Sequence, residues 1–493
     1  MKRTLSVLAI AIAAATAGGA WYLQSKQPQR EGEQTLSQLQ APVSVRYDER
    51  GVPHIRAQNQ ADMYRALGYV HAQDRLFQME MIRRLANGEL AEVLGSKLVD
   101  TDRLFRTLRL REHARRYVAK VDPNSPPVQA LQAYLDGINQ YQASHPAPLE
   151  FDILGIPKRP FTAEDTMAVA GYMAYSFAAA FRTEPVLTQI RDQLGADYLK
   201  VFDLDWHPEG VLSQPLAAAD WRDLNSLAQL SHQALSAAGL PQFEGSNAWA
   251  VAGSRTASGK PLLAGDPHIR FANPAVWYEA QLEAPDFKLY GHFQALNPTA
   301  SLGFNEQFAW SITMFQNDDL DLIAEKVNPD NPDQVWYQGQ WVNLEHSEEI
   351  IKVKGEADVK LALRRSPHGP LINDALPTPK GQTPIALWWA FLETENPILD
   401  AFYQLNRADT AAKAAAAAEK IEAPGLKVVW ASAAGDIAWW AAAKLPQRPA
   451  GVNPNFILDG ASGEADKPGY YPFSANPQEL NPPRGYIVSA NHQ

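Results

Sequence analysis

The sequence predicts an α+β fold in which a mainly helical first half precedes a mainly β second half. Apolar residues recur at helical spacing between residues 61 and 199, whereas short alternating segments with Gly, Pro and Asn-rich turns dominate from Ser246 onward. Between them, residues 209–245 are rich in Ala, Leu, Ser and Gln and show little apolar periodicity. That composition is typical of a linker or a removable spacer.

Several elements are predicted individually. Residues 61–86 form a helix, because Phe77, Met81 and Leu85 are spaced four apart and Gly88 suits its C-terminal cap. A second helix is predicted late in the chain, at 409–423. The strands and hairpins are predicted at 43–55, 248–252, 276–282, 308–313 and around Gly435-Asp436.

Composition excludes several classes of protein. The 493 residues include 44 basic and 55 acidic side chains, 46% hydrophobic residues and no cysteine. The apolar content suffices for a packed core, and a net charge of −11 argues against nucleic acid as a partner. Lack of cysteine excludes disulfide scaffolds, thiolate nucleophiles and cysteine zinc sites, and is compatible with an oxidising compartment.

The N-terminus has the layout of an export signal. Lys2 and Arg3 precede an uncharged run over residues 5–23, which is nearly long enough to span a membrane if it stays uncut. We therefore expect residues 1–23 to be a signal peptide or an N-terminal anchor, and residues 24–40 to be a polar tether. The predicted location is the periplasm or beyond, with membrane contact only through this segment.

The common hydrolase motifs are missing. The sequence contains no G-x-S-x-G, S-x-x-K, H-E-x-x-H or Walker motif. What remains is the junction Gly245-Ser246, at the border between the spacer and the β-rich half. A serine at a chain's N-terminus could use its own α-amine as base, since that amine has a reference pKa of ~7.7–8. The spacing alone leaves a plain turn as the more frequent interpretation.

Several segments, taken in order, resemble the penicillin acylase family of N-terminal-nucleophile (Ntn) amidases, which includes acyl-homoserine-lactone and cephalosporin acylases. The matching segments are residues 43–57, 68–84, 88–95, 246–251 (Ser-Asn-Ala-Trp-Ala-Val), 264–268 (Ala-Gly-Asp-Pro-His), 317–321 (Asn-Asp-Asp-Leu-Asp) and 485–491 (Gly-Tyr-Ile-Val-Ser-Ala-Asn). The resemblance implies an Ntn-hydrolase αββα sandwich. It divides the chain into a first-chain region at 41–208, a spacer at 209–245 and a second-chain region at 246–493.

The resemblance also implies roles for four residues. Ser246 matches the nucleophile, freed by autoproteolysis after Gly245, and His268 matches the residue that orients its amine. Asn491 and the backbone N–H of Met314 match the two donors of the oxyanion hole. The implied reaction is hydrolysis of a linear amide in a small N-acyl substrate, as in penicillin amidases that act on antibiotics.

A calcium site and an acyl pocket follow from the same resemblance. One structural Ca²⁺ is expected to bridge the two chains; its ligands would be Glu184, Asp318, Asp321 and the carbonyls of Leu320 and Pro446. From the residues alone, an acidic surface loop is the more frequent interpretation of these aspartates. The residues matching the acyl pocket are Met173, Phe177, Ile269 and Leu302. The last two replace phenylalanines, which favours a more flexible acyl group than phenylacetyl, although apolar residues of this kind often belong simply to the core.

Three interpretations stay open at this stage. Penicillin-like and homoserine-lactone-like substrates are not distinguished by the sequence. Family members continue well beyond the residue that matches Asn491, so we expect a C-terminally truncated second chain, and an inactive relative that never cleaves itself is an alternative. An ordinary serine peptidase, which would need a separate Asp/His pair, is another.

Overall fold

The structure is a computed structural model that describes residues 2–177, 180–202, 206–207, 209–210, 213–236, 243–463 and 465–491. Parts of the predicted spacer (residues 211–212 and 237–242) therefore lie outside the described residues. The α-helices are α1 (Lys2–Ser25), α2 (Gln60–Asn87), α3 (Ala91–Leu94), α4 (Val99–Thr107), α5 (Leu110–Lys120), α6 (Pro126–Ser144), α7 (Leu149–Leu154), α8 (Ala163–Phe177), α9 (Ala180–Gln193), α10 (Ala218–Ser236), α11 (Ala390–Glu393), α12 (Ile398–Leu405) and α13 (Ala411–Glu419). The strands are β1 (Ser44–Tyr47), β2 (Pro53–Arg56), β3 (Phe243–Val251), β4 (Leu262–Ile269), β5 (Tyr278–Ala284), β6 (Phe287–Phe293), β7 (Leu302–Phe304), β8 (Phe308–Met314), β9 (Leu320–Ala324), β10 (Val327–Asn328), β11 (Asn331–Tyr337), β12 (Gln340–Asn343), β13 (Glu345–Ile351), β14 (Val359–Ser366), β15 (Gly369–Pro370), β16 (Ile385–Trp389), β17 (Leu426–Ser432), β18 (Ile437–Ala442), β19 (Pro446–Gln447), β20 (Leu458–Asp459), β21 (Gly469–Tyr470), β22 (Gln478–Leu480) and β23 (Tyr486–Ser489).

Helix α1 is exposed. Its 20-residue window Ser6–Ser25 has a mean hydropathy of 1.6 and none of it is buried, which is compatible with a signal sequence.

Helix α2 is the central helix of the first half. Asn59 caps its N-terminus by accepting a hydrogen bond from the Asp62 N–H, and Gly88 closes it in the left-handed conformation at φ 62°. It crosses α6 closely at two glycines, because a Cβ atom on Gly68 or on Gly137 would lie 1.9 Å from a carbonyl oxygen of the other helix. The predicted helix and its glycine cap are confirmed.

A nine-stranded sheet forms the centre of the second half, in the order β1-β2-β5-β6-β7-β8-β17-β18-β22. The predicted hairpins appear as β1–β2 and β17–β18. Strands β5 and β8 match the predicted segments 276–282 and 308–313 within two residues.

A second sheet, in the order β23-β3-β4, packs on the first. Its inward side chains, including Ala248, Ala250 and Ile487, form a small core with Val429 and Ala431 of β17. The side chains that alternate with these point outward. Four of them, Trp249, Leu262, Tyr486 and Val488, are 40–57% exposed.

Helix α13 packs near β17 and β18, and its Ala414, Ala417 and Ala418 are buried in the same core as Val428 and Trp430. The small alanine side chains allow a close approach between helix and sheet. A helical layer, the large sheet and the small sheet are thus stacked, which corresponds to three of the four layers of the αββα sandwich that the resemblance implies. The predicted α+β class is confirmed.

Helix α10 lies within the predicted spacer and is not predicted by the sequence. Trp221, Leu224 and Leu227 are buried, while the carboxylates of Asp220 and Asp223 accept hydrogen bonds from four backbone N–H groups of residues 380–383 at 2.7–3.0 Å. The described part of the spacer is therefore packed against the second half. Its excision stays a prediction.

Candidate active site

Ser246 lies in the middle of β3 with its side chain turned toward the large sheet. It is 6% exposed and pairs in register with Pro267 of β4. The period of two along the strand places Ser246, Ala248 and Ala250 on the same inward face. The alternation of side chains along β3 therefore places the Ser246 hydroxyl in the space between the two sheets.

Two residues from distant parts of the chain contact this serine. The backbone N–H of Met314 donates to Ser246 Oγ at 3.2 Å, and Ser246 Oγ donates to Asn491 Oδ1 at 2.9 Å. The Asn491 Nδ2 amide donates to the carbonyl oxygen of Ser246. The structure therefore brings together a hydroxyl and two hydrogen-bond donors at one point.

The two donors sit at the ends of neighbouring strands in different sheets. Met314 is the last residue of β8, and Asn491 follows β23 with a left-handed φ of 58°. One residue before Met314, the Thr313 hydroxyl lies 2.7 Å from the Ser489 hydroxyl, a buried contact that links β8 to β23. Neither Thr313 nor Ser489 is identified by the sequence analysis, since no pattern pairs two hydroxyls 176 residues apart.

His268 lies on β4 opposite Gly245 in the register. Its Nε2 is 3.1 Å from Asn247 Nδ2 and 3.2 Å from Asp266 Oδ2, and its side chain is 42% exposed. It is on the same outward face as Asn247, so it does not contact the inward hydroxyl of Ser246.

Gly245 sits between two polar side chains. A Cβ atom at this position would lie 3.3 Å from His268 Nδ1 and 3.4 Å from Asn491 Nδ2. The strand β3 runs without interruption through Gly245 and Ser246, so the nitrogen of Ser246 is an amide here. His268, predicted to orient the Ser246 amine, and Asn491, a predicted oxyanion donor, therefore both flank the peptide that would be cut.

An apolar cavity of about 90 Å³ lies beside β8, the strand that ends at Met314. Its lining includes Met173, Phe177, Ile312 and Leu426, and Leu426 pairs in register with Met314. Of the four predicted pocket residues, Met173 and Phe177 line it. Ile269 and Leu302 lie outside its lining, on β4 and β7. A larger cleft of about 480 Å³ shares Phe177 with this cavity and extends to Glu184 and Asp318.

The carboxylates of Glu184, Asp318 and Asp321 form an acidic cluster. One oxygen of each lies within 4.8 Å of the others. Glu184 is 2% exposed; its Oε2 accepts from the Leu322 N–H at 2.7 Å, and its Oε1 has no hydrogen-bond partner among the described residues. Burial and the nearby Asp321 carboxylate raise the pKa of Glu184 well above its usual value.

Two cations that the sequence analysis misses also reach this cluster. Arg448 lies 3.1 Å from Asp318 and 3.2 Å from Asp321, and Lys467 Nζ lies 2.6 Å from Asp321 Oδ2. They come from a part of the chain more than 120 residues away, where no sequence pattern marks them. The unpartnered Glu184 oxygen and the all-oxygen donor set fit a hard divalent cation, although Asp321 already has two cationic partners.

The two predicted carbonyl ligands are near neighbours, along the chain, of residues in or beside this cluster. Leu320 stands between the aspartates at the start of β9, and Pro446 begins β19, two residues before Arg448.

With this geometry established, comparison with known proteins decides the family. A family model described as penicillin amidase matches residues 42–493. The chain belongs to the penicillin amidase family. Homologues in this family are amide-cleaving hydrolases that act on carbon–nitrogen bonds other than peptide bonds. The resemblance inferred from the sequence is therefore confirmed, as is the predicted fold.

Individual relatives are similar over almost the whole chain. The acyl-homoserine lactone acylase QuiP of Pseudomonas fluorescens is 31% identical over 96% of this chain and 59% of its own length. Penicillin acylase 2 proenzyme of Pseudomonas sp. strain SE83 is 32% identical over 96% of this chain and 61% of its own. Penicillin G acylase of Escherichia coli is 27% identical over 92% and 60%. The chain thus spans about three-fifths of the length of these relatives.

Proposed function

We propose that this penicillin amidase family member is an exported N-terminal-serine acylase that removes an acyl group from a linear amide. The observation that carries the proposal is the position of Ser246 Oγ between the Met314 N–H and the Asn491 side chain. A nucleophile and two preorganised donors at one point are what acyl transfer requires.

Cleavage of the Gly245-Ser246 bond would create the base. The amide nitrogen of Ser246 accepts no proton, whereas the α-amine formed by cleavage does. That amine would take the proton of the Ser246 hydroxyl as it attacks the substrate carbonyl. His268, whose Nδ1 faces the Gly245 position, is suited to orient the amine.

The oxyanion would be stabilised by the Met314 N–H and by Asn491 Nδ2, which now donates to the Ser246 carbonyl oxygen. Each such donor contributes about 3–4 kcal/mol to the transition state in other acyl-transfer enzymes. Return of the proton to the leaving nitrogen would release the amine product, and water would then hydrolyse the acyl ester. The two chains formed by the cut would stay together through the shared core.

The acyl group would occupy the cavity lined by Met173, Phe177, Ile312 and Leu426. Three of these side chains are flexible or aliphatic, which supports an extended acyl chain over a rigid aromatic one. The relatives' names include both penicillin acylases and acyl-homoserine lactone acylases, so the latter activity is the second candidate.

We also propose that Glu184, Asp318 and Asp321, with the carbonyls of Leu320 and Pro446, hold one structural Ca²⁺. The unpartnered Glu184 Oε1 supports this. A bound ion at a hundredfold excess over its Kd would stabilise the fold by about 2.7 kcal/mol. Chelation should then lower the melting temperature, and an Asp318→Ala, Asp321→Ala double variant should lose that response. An unchanged melting temperature, with no calcium by elemental analysis, would rule the site out.

The decisive test of the acylase is intact-mass analysis and N-terminal sequencing of purified protein. The second chain should begin Ser-Asn-Ala-Trp, and the first should lack the signal if export cleaves it. Activity should be measured on phenylacetyl amides, penicillins and N-acyl homoserine lactones of several lengths.

Ser246→Ala should remain one chain without amidase activity, while the exposed Ser254→Ala should behave as wild type. Amide hydrolysis by Ser246→Ala, or a different second N-terminus, would overturn the mechanism. An uncut wild-type chain without activity would indicate the inactive relative. Because an ordinary serine peptidase should not split itself, self-cleavage by Ser246→Cys would exclude that alternative.

A further inference from the structure

We infer that Lys467 is a tethered counter-cation of the acidic cluster, and that Ca²⁺ binds Glu184, Asp318 and Asp321 only by displacing it. This inference rests on the proposed calcium site. Lys467 would then determine how tightly the site binds divalent ions.

Asp321 is the residue for which Lys467 and Ca²⁺ compete. Its side chain is fully buried, and Lys467 Nζ lies 2.6 Å from its Oδ2. The Lys467 side chain is itself only 4% exposed, so this ion pair is shielded from water. A calcium ion binds carboxylate oxygens at ~2.3–2.6 Å, which is the distance the ammonium already occupies. Two cations held this close to one oxygen repel each other, so we expect Ca²⁺ binding there to require that the ammonium withdraws.

The cluster nevertheless keeps capacity for a divalent ion. Three carboxylates face two cationic side chains, and Glu184 Oε1 is buried without a hydrogen-bond partner among the described residues. With all three carboxylates ionised, one net negative charge and one open oxygen remain. A buried oxygen in this state is stabilised by a metal ion or by protonation.

Lys467 is better placed to leave than Arg448. Arg448 Nη2 donates to the Asp318 carbonyl at 2.8 Å and lies 3.2 Å from both Asp321 carboxylate oxygens, so several contacts hold it. Lys467 has one carboxylate partner. Its Nζ also donates to the Ala465 carbonyl oxygen at 2.9 Å and lies 4.5 Å from the centre of the Trp388 ring. These two contacts would retain the ammonium close by after it withdraws.

The test compares wild type with Lys467→Met, which keeps the length and apolar stem of the side chain but removes its charge. Both proteins are freed of metal with chelator and titrated with CaCl₂ by calorimetry. We expect at least tenfold tighter Ca²⁺ binding by Lys467→Met, because no ammonium has to be displaced. Without metal its melting temperature should fall below that of wild type, and CaCl₂ should restore it.

The matched control is Lys326→Met. Lys326 also packs over a tryptophan, at 5.6 Å from the Trp336 ring, but it is exposed and follows the end of β9. Its removal should leave the Ca²⁺ affinity unchanged. Lys467→Arg keeps a cation in place and should bind Ca²⁺ no more tightly than wild type.

Equal Ca²⁺ affinity in wild type and Lys467→Met would overturn the inference. So would tight binding by Lys467→Arg, which remains informative if the methionine variant does not fold. Absence of Ca²⁺ binding in every variant would overturn both the calcium site and this inference. The acylase proposal is judged separately, by the N-terminus of the second chain.

Discussion

The hydroxyl of Thr313 lies 2.7 Å from the hydroxyl of Ser489, and this buried contact joins the two sheets next to the candidate nucleophile. Thr313 precedes Met314, and Ser489 stands two residues before Asn491. One hydrogen bond thus links the strands that carry the two donors around Ser246. This hydrogen bond keeps the distance between the two donors constant, and an oxyanion hole depends on that distance.

Thr313→Val should therefore lower kcat about tenfold and leave KM nearly unchanged. Loss of the contact leaves the Ser489 hydroxyl buried without its partner, which should also cost ~1–3 kcal/mol of unfolding free energy. Thr313→Ser should recover most of kcat. Steady-state kinetics with an N-acyl amide and thermal unfolding separate the two effects. Equal losses in all variants, or a loss confined to stability, would show that the contact does not position the donors.

Asn491→Asp should reduce kcat by about 10²–10³, because it replaces an amide donor with a carboxylate that repels the developing oxyanion. Binding of substrate should change little. The variant needs checking for self-cleavage by intact mass, since Asn491 Nδ2 also faces the Gly245 position. Turnover near the wild-type rate by a fully cleaved Asn491→Asp would remove this residue from the oxyanion hole.

Substitutions at Gly245 should slow self-cleavage in order of side-chain size. In Gly245→Ala the new Cβ would press on His268 Nδ1 and Asn491 Nδ2 at 3.3 and 3.4 Å, and in Gly245→Val the crowding would be greater. The fold should persist, because the glycine backbone here does not require a positive φ. The time course of chain separation on a denaturing gel measures the effect. Cleavage of the valine variant at the wild-type rate would contradict the prediction.

Phe177→Ala should shift specificity toward longer acyl chains, because the side chain lines the apolar cavity. Each additional buried methylene is worth about 0.8 kcal/mol, or roughly fourfold in kcat/KM. Leu302→Ala is the control, since Leu302 is buried but lies outside the cavity lining. The measurement is kcat/KM over a series of acyl lengths. Parallel profiles for both variants would place the acyl group elsewhere.

Because of His368, the free energy of unfolding should decrease at alkaline pH. Burial alone would lower its pKa, but hydrogen bonds to Asp466 at 3.0 Å and Glu325 at 2.9 Å outweigh burial and raise the pKa to about 9. The stabilisation is thus complete below pH ~6.5 and is lost as the pH rises through about 9. It amounts to about 3 kcal/mol.

Unfolding free energies from pH 6 to 10 should show this loss in wild type but not in His368→Gln. The exposed His346→Gln serves as the control, since its partner Asp333 lies at 3.4 Å on the surface. A wild-type curve parallel to that of His368→Gln would show that His368 is not charged in the folded protein.

The sequence correctly predicted those elements that depend on residues close together in the chain. The α2 helix, its Gly88 cap and the β17–β18 hairpin each follow from the periodicity or turn residues of one short segment. Helix α10 was missed because the carboxylates of Asp220 and Asp223 accept hydrogen bonds from backbone groups 157–162 residues later in the chain. Such partners leave no trace in the surrounding sequence.

The residues of the candidate site likewise include some that the sequence identifies and others that it does not. Ser246, Asn491 and Met314 could be assigned because motifs resembling a family accompany them, and the fold brings them together. The sequence implies no role for Thr313, Ser489 or Lys467, although Ser489 lies in a matching segment, and their roles arise only from contacts across the chain. The pocket shows the limit of residue matching, since two of four predicted residues lie outside the cavity lining.

The outward face of the three-stranded sheet has a consequence for the behaviour of the protein in solution. Trp249 and Val488 pair across adjacent strands. Together with Leu262 and Tyr486 they form a continuous exposed apolar surface on the face of the sheet opposite to Ser246. Surfaces of this kind promote self-association, which a net charge of −11 opposes by mutual repulsion. Since salt screens that repulsion, the colloidal stability of the isolated chain should fall as ionic strength rises.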